Sequence, residues 1–277
     1  MIKFSHTIFS MPFAMVGFFL GITAEEGRVG EWLLLFVILC MVFARSAAMG
    51  FNRYIDRFID AKNPRTENRE IPSGKIQPKA ALIFVIANAV AFVVTCWFIN
   101  RLVFFLSPVA LLVILGYSLS KKYTALCHFL LGLGLSLAPI GAYLAVTGKF
   151  EWLPVLFSCV VLLWTGGFDI IYALQDEKFD VNQRLHSIPA SLGIRSALMV
   201  SGAVHLGVVV LIVIIGILGN FGMWYVAGAG FFSALLLYQH LIVKPDDLKR
   251  VNAAFFTSNG IASVVFSTFI ILDLIFI

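Results

Sequence analysis

Nine apolar runs, each close to twenty residues long, occupy most of this 277-residue sequence. An α-helix rises ~1.5 Å per residue, so about 20 apolar residues cross the ~30 Å hydrocarbon core of a bilayer. The runs lie at 8–24, 32–51, 80–99, 102–119, 126–146, 153–174, 197–218, 221–241 and 253–275. Because 60% of the residues are hydrophobic and only 13% are charged, a soluble domain is excluded. The sequence predicts an all-α, polytopic membrane protein of about nine transmembrane helices, forming one domain over residues 1–277.

The basic residues are concentrated on one side of the predicted membrane. If the N-terminus lies in the cytoplasm, sixteen of the twenty Lys and Arg residues fall in inner segments, and the outer loops hold Arg28, Arg101 and Lys149. Basic loops remain in the cytoplasm, so we expect a multi-pass protein of the inner (cytoplasmic) membrane with a cytoplasmic N-terminus. This topology explains the net charge of +5 without nucleic acid as a partner. The first run lacks a basic leader and a small-residue cleavage site, which indicates a retained span.

Acidic residues are scarce, and two groups of them follow helical spacing on the predicted cytoplasmic side. The first stripe continues the second apolar run at intervals of four residues and consists of Asn52, Asp56 and Asp60. The second stripe lies in FDIIYALQDEKFD and consists of Asp169, Asp176 and Asp180, with Tyr172 on the same side. On continuing helices each stripe occupies one helical face. Both stripes are therefore expected at the same membrane surface.

Clustered carboxylates require a counter-ion, because like charges brought together raise the free energy of the folded protein. Oxygen ligands without Cys or His favour Mg²⁺ or Ca²⁺ over zinc, and Mg²⁺ is commonly held by carboxylates together with substrate phosphates. Basic residues around the first stripe, with Lys121 and Lys122, are suited to phosphate oxygens. The alternative without a binding function is that both stripes are ordinary solvated helix ends. A transporter is the alternative of another class, although transport favours acidic groups near the bilayer midplane.

Three motifs resemble those of the UbiA-type membrane prenyltransferases. They are the first stripe followed by NPRTENREIPSGK, the Tyr117-xxx-Lys121 pattern in GYSLSKKYT, and the second stripe with Tyr172. The first motif is most similar to the 4-hydroxybenzoate polyprenyltransferase branch. The start of the chain also resembles a branch that prenylates a dihydroxynaphthoate in menaquinone biosynthesis. The resemblance implies an enzyme that transfers a polyprenyl group from a polyprenyl diphosphate to an aromatic acid acceptor.

The resemblance also implies roles for individual residues. Mg²⁺ would be held by Asn52, Asp56, Asp60, Asp169, Asp176 and Asp180. The diphosphate would be bound by Arg65, Arg69, Tyr117 and Lys121. Catalysis would depend on Asp56, Asp176 and Asp180. The base that removes the ring proton would be either Asp180 or the diphosphate itself. The acceptor would contact Arg45 and Tyr172.

Three charged residues carry separate expectations. Arg45 lies within the second apolar run, seven residues before Asn52, so it shares the face of the first stripe about 10 Å deeper in the membrane. It either pairs with a structural partner or binds the acceptor's carboxylate. Arg53 stands where the family has an acidic residue and is expected to face away from the metal. Asp273, near the end of the last run, is expected at the membrane interface.

The cysteines and the histidines are expected to have structural roles rather than catalytic ones. The four cysteines lie in or beside apolar runs without CxxC spacing, which is typical of inert buried thiols. His6 and His186 lie on the predicted cytoplasmic side, where packing or solvation is the simpler interpretation.

Overall fold

The computed structural model describes residues 9–27 and 29–276. Within these residues, eight helices are long and apolar enough to cross a membrane, and the shorter apolar helix Met11–Ala24 joins them in the bundle. No β-strand occurs in that part of the chain. The predicted all-α membrane bundle is thus confirmed, with the first of the nine spans shorter than the others. His6 and residue 8, where the first predicted span begins, lie outside the described residues.

The helices are named in chain order. They are α1 Met11–Ala24, α2 Leu33–Ile55, α3 Arg57–Asp60, α4 Pro78–Ile99, α5 Arg101–Ser120, α6 Cys127–Thr147, α7 Trp152–Ala173, α8 Glu177–Asn182, α9 Ile188–Leu218, α10 Met223–Ile242 and α11 Asn259–Phe276. A 3₁₀ turn, Leu174–Asp176, joins α7 to α8, and a π-helical segment, Ala253–Ser258, leads into α11.

Helix α7 lies at the centre of the bundle, packed against α6 and α9. Its Trp164 is fully buried and contacts Phe13 of α1 and Phe232 of α10, with ring centroids 5.4 and 5.6 Å away. Such aromatic pairs add about 0.5–1.5 kcal/mol to the contribution of their buried area. The indole Nε1 donates a 3.0 Å hydrogen bond to Asn259 Oδ1, so its polar atom is satisfied inside the bundle.

Small residues allow α6 to approach its two main neighbours. A Cβ atom on Gly17 of α1 would lie 1.9 Å from the carbonyl oxygen of Pro139, and one on Gly132 would lie 2.3 Å from that of Leu162 in α7. Both positions therefore require glycine. Close backbone approach at small residues is the usual basis of helix packing in membranes, where lipid weakens the hydrophobic drive for association.

Helix α9 begins earlier than the apolar pattern predicted. The predicted span started at residue 197, whereas the helix starts at Ile188, directly after the capping residue Ser187. Gly193 has φ +79° and separates a short first turn from the membrane-spanning part. Hydropathy alone missed this first turn because Arg195 and Ser196 separate it from the apolar run that begins at residue 197.

Asp273, which the sequence is expected to place at the membrane interface, packs inside the bundle. Its side chain is completely buried, and its two oxygens accept hydrogen bonds from the backbone N–H groups of Gly222 (2.6 Å) and Tyr225 (3.1 Å). These groups lie at the start of α10, where the first N–H groups of a helix lack intrahelical partners. A carboxylate from α11 thus caps α10, while the interfacial position of Asp273 stays a prediction.

Candidate active site

A cavity of about 1150 Å³ extends along the inside of the bundle, between α2, α4, α5, α6 and α7. Its polar end is lined by the first stripe, by Asp169 and Asp176 of the second stripe and by the loop that follows α3. Its apolar end reaches Ile99, Leu144 and Phe150. This volume exceeds the ~300–1,000 Å³ of most small-molecule pockets. A long substrate with a charged head and an apolar tail would match this distribution of side chains.

The first stripe lies on one side of the polar end, although α2 does not continue through it. The helix ends at Ile55 and resumes at Arg57, because Asp56 adopts φ −85°, ψ 1°. The backbone N–H groups of Asp56 and Asp60 nevertheless donate to the carbonyls four residues earlier, at 3.0 and 2.7 Å. The expectation of a continuous helix was wrong, but its consequence holds: all three side chains of the first stripe line the cavity.

Asp56 and Asp60 form the acidic part of this wall. Asn52 Nδ2 donates to Asp56 Oδ2 at 3.0 Å, and Arg69 Nη1 donates to Asp60 Oδ1 at 2.6 Å. Asp60 Oδ2 is buried and has no hydrogen-bond partner. Burial, followed by the negative charge of Asp60, raises the pKa of Asp56 to about 6. Asp56 therefore lies close enough to Asp60 for their two negative charges to repel each other.

Asp176 of the second stripe is connected to the loop that follows the first. Arg65 binds its carboxylate through two nitrogens, with Nε 2.9 Å from Oδ1, and Asn63 Nδ2 donates to Oδ1 at 3.1 Å. Arg65 Nη1 also donates to Tyr172 Oη at 3.0 Å. Although burial disfavours its charged form, these bonds raise the pKa of Arg65. The loop thus joins the two stripes, which agrees with the prediction that both lie at the same end of the helix bundle.

Asp180 occupies a different position from the other acidic residues. It is completely buried, does not line the cavity, and accepts a hydrogen bond from Ser187 Oγ at 3.0 Å. Lys121 Nζ lies 2.8 Å from its Oδ1. Burial disfavours the lysine's charged form, but this carboxylate raises the pKa of Lys121 overall. Its contacts show Asp180 holding Lys121 at the cavity wall, and a role as metal ligand or proton acceptor remains a prediction.

Asp169, the remaining member of the second stripe, lines the cavity and lies beside a histidine that sequence reasoning missed. His128 Nδ1 is 2.7 Å from Asp169 Oδ2, and its Nε2 accepts a hydrogen bond from the backbone N–H of Ile188 at 3.3 Å. A single histidine at the start of an apolar run gives no local signal. Only the packing of α6 against α7 brings His128 to the stripe.

Arg45 and Tyr117 line the cavity below the stripes. Within residues 9–27 and 29–276, the buried Arg45 Nε atom has no hydrogen-bond partner, which a purely structural ion pair would not leave. Arg53 also lines the cavity, so the expectation that it faces away is wrong. Cys40, Cys96 and Cys127 are free thiols on the same walls, and Cys40 Sγ lies 3.7 Å from Cys96 Sγ.

The residues at the polar end match the ligand preferences of Mg²⁺ in kind. The available donors are carboxylate and amide oxygens, and Asp60 Oδ2 has no hydrogen-bond partner among the residues that the structure describes. Among the described residues, no three His, Cys, Asp or Glu side chains form a ready-made metal cage. Mg²⁺ typically binds one or two carboxylates plus substrate phosphates, so a complete cage is not required.

Comparison with known proteins agrees with this architecture. Residues 10–260 match the UbiA prenyltransferase family. A 4-hydroxybenzoate octaprenyltransferase of Aliivibrio fischeri (strain MJ11) is 32% identical over 247 residues, which cover 88% of this chain and 84% of that protein.

Solved structures show the same fold. The apo structure of a UbiA homologue from Aeropyrum pernix K1 matches with a TM-score of 0.88 and 28% identity, covering 99% of both chains. A UbiA homologue from Archaeoglobus fulgidus bound to DMAPP and Mg²⁺ matches with a TM-score of 0.74 and 20% identity, covering 98% of this chain and 96% of that one. This multi-pass membrane protein belongs to the UbiA prenyltransferase family.

Proposed function

We propose that this protein transfers a polyprenyl group from an allylic diphosphate to an aromatic acid in a Mg²⁺-dependent reaction. The observation that carries the proposal is a single cavity that joins two acidic stripes and several basic residues at one end to an apolar interior at the other. The printed name of the Aliivibrio relative supports an aromatic acid acceptor. The Archaeoglobus structure with DMAPP and Mg²⁺ supports the donor and the metal. Membership in a prenyltransferase family disfavours the transporter alternative.

The acidic and basic residues would bind different parts of the metal–diphosphate complex. When bound, Mg²⁺ would supply positive charge that stabilises the departing diphosphate. The metal would be held by the carboxylates that line the cavity, which are Asp56, Asp60, Asp169 and Asp176. Arg65 and Arg69, which are paired with aspartates here, would move their guanidinium groups to the phosphate oxygens.

The acceptor would lie deeper in the cavity, between the stripes and Arg45. The unpartnered Nε of Arg45 is suited to the acceptor's carboxylate, which a guanidinium binds through two parallel hydrogen bonds. The Tyr172 ring, stacked on Phe255 with centroids 4.1 Å apart, would form an aromatic wall beside the reacting ring. Since Asp180 lies outside the cavity, we favour the released diphosphate as acceptor of the ring proton.

The polar end of the cavity is proposed to face the cytoplasm, with the N-terminus on the same side. The concentration of Lys and Arg in the loops at that end supports this orientation, because basic loops are retained in the cytoplasm. The substrate head groups would then reach the site from the cytoplasm of the inner membrane.

Product mass spectrometry tests the proposed reaction. Purified protein is incubated with Mg²⁺, geranyl diphosphate and a panel containing 4-hydroxybenzoate, a dihydroxynaphthoate and their decarboxylated analogues. We expect an aromatic acid plus one geranyl group, formed only with Mg²⁺. A dihydroxynaphthoate product would assign the menaquinone alternative, and the absence of any prenylated aromatic product from an intact, folded preparation would refute the proposal.

A further inference from the structure

Asp169 differs from three of the other four aspartates of the stripes in the kind of side chain that holds it; the fourth, Asp56, accepts a hydrogen bond from Asn52. Three of these aspartates pair with long basic side chains: Asp60 with Arg69, Asp176 with Arg65 and Asp180 with Lys121. Arg and Lys side chains have many rotamers, so such partners can leave a carboxylate when phosphate oxygens arrive. Asp169 instead pairs with the compact imidazole of His128.

The His128 ring is fixed from both sides. Only 2% of the residue is exposed, and its Nε2 accepts the backbone N–H of Ile188. A nitrogen that accepts this hydrogen bond carries a lone pair, so the proton resides on Nδ1 and is donated to Asp169 Oδ2. A ring bonded at both nitrogens inside packed helices cannot turn toward a substrate. His128 therefore holds Asp169 whether or not a ligand is present.

The support for this ring comes from the start of α9. The Ile188 N–H belongs to the first turn of the helix, where such groups need partners from outside the helix. The two preceding residues also connect to the site: the His186 N–H donates to the Lys121 carbonyl at 2.8 Å, and Ser187 Oγ donates to Asp180 Oδ2 at 3.0 Å. One short segment thus supports both Asp169, through His128, and Lys121, through its backbone and Asp180.

We propose that His128 is a positioning residue that fixes Asp169 as a pre-organised carboxylate of the metal site, supported by the N-terminus of α9. The proposal rests on the Mg²⁺-dependent function above. Asp169 lines the cavity with 21% of its side chain exposed, and the histidine occupies only its Oδ2. Its Oδ1 is left for a cation, whereas Asp60 and Asp176 would first have to exchange an arginine partner. Groups that orient a ligating carboxylate typically change metal affinity by about 10–100-fold when removed.

Three substitutions separate hydrogen-bond donation from packing. His128→Asn places an amide nitrogen near the Nδ1 position, His128→Gln places one near the Nε2 position, and His128→Leu removes both polar atoms while keeping an apolar side chain. His240→Asn is the matched control, because His240 pairs with His205 at 2.9 Å and does not line the cavity. Thermal unfolding without metal reports the effect of each change on folding.

The readout is the affinity for Mn²⁺, measured by electron paramagnetic resonance with purified protein and an unreactive geranyl thiodiphosphate. We expect the Leu and Gln variants to raise the Kd for Mn²⁺ by about 10–100-fold, and the Asn variant and the His240 control to remain near the wild-type value. Wild-type affinity in the Leu variant, or an Asn variant as weak as the Gln variant, would overturn the role of His128. If His128→Leu does not fold, the Mn²⁺ affinities of His128→Asn and His128→Gln still test the role of His128. A wild-type protein that binds no Mn²⁺ with the thiodiphosphate would refute the proposed function itself.

Discussion

Replacement of Arg45 tests how the acceptor is recognised. Its Nε has no partner in the buried part of the cavity, so a bound carboxylate would complete its hydrogen bonding. Hydrogen bonds to charged groups contribute about 1.5–3 kcal/mol, and ~1.4 kcal/mol corresponds to a factor of ten. Arg45→Ala should therefore raise the KM of the aromatic acid by about 10–100-fold. Arg45→Lys should recover little of this loss, because an ammonium group cannot form the paired hydrogen bonds of a guanidinium.

The assay compares the KM values of donor and acceptor in the same preparation. The KM of the prenyl diphosphate should change little in both Arg45 variants, and a decarboxylated phenol should lose its disadvantage in Arg45→Ala. Arg57→Ala serves as the matched control, since Arg57 stacks on Tyr54 and Phe58 and does not line the cavity. Equal increases in both KM values would refute the assignment of Arg45 to the acceptor's carboxylate. Arg45 would then bind the diphosphate or have a structural role.

Three further predictions concern the fold and its orientation. Gly17→Ala should lower the free energy of unfolding by about 1–3 kcal/mol through overpacking against α6, whereas Gly116→Ala, with no atom within 4 Å of the added Cβ, should not; thermal unfolding in detergent measures both. Asp273→Ala should cost about 2–4 kcal/mol by removing partners from two buried N–H groups, and an unchanged unfolding midpoint would contradict the capping role. Cysteines introduced at Asn68 and Lys149 should be labelled only from the cytoplasm and only from outside, respectively, and the reverse pattern would invert the topology.

The fold was largely predictable because each span has to satisfy its own length requirement in the bilayer. Apolar runs of about 20 residues identify membrane helices without knowledge of their neighbours. The apolar pattern did not predict the first turn of α9. This helix starts at Ile188, and the signal for its start is the capping residue Ser187 rather than hydropathy. The pattern did not predict the contacts of Asp273 either, because its partners are the N–H groups of a helix that lies about fifty residues earlier in the chain.

The site was predictable where its residues repeat along one helix. The spacing of Asn52, Asp56 and Asp60 places them on one face even though the helix breaks at Asp56. Contacts between helices were not predictable in this way. The 2.7 Å contact of His128 with Asp169 depends on how α6 packs against α7, and the burial of Asp180 depends on the start of α9. Spacing alone cannot distinguish an acidic residue in the cavity from one behind its wall.

The central claim is that a divalent cation held by both stripes drives ionisation of the prenyl diphosphate. Its most direct test is the single-turnover rate of diphosphate release in Asp176→Asn at saturating Mg²⁺, beside the neighbouring control Glu177→Gln, which does not line the cavity. Removing a carboxylate that would hold the cation stabilising the departing diphosphate should lower the rate by at least ~10²-fold, as for other losses of electrostatic stabilisation, and the control should retain the wild-type rate. A near-wild-type rate in Asp176→Asn, or full activity of the wild-type protein in excess EDTA, would contradict the account.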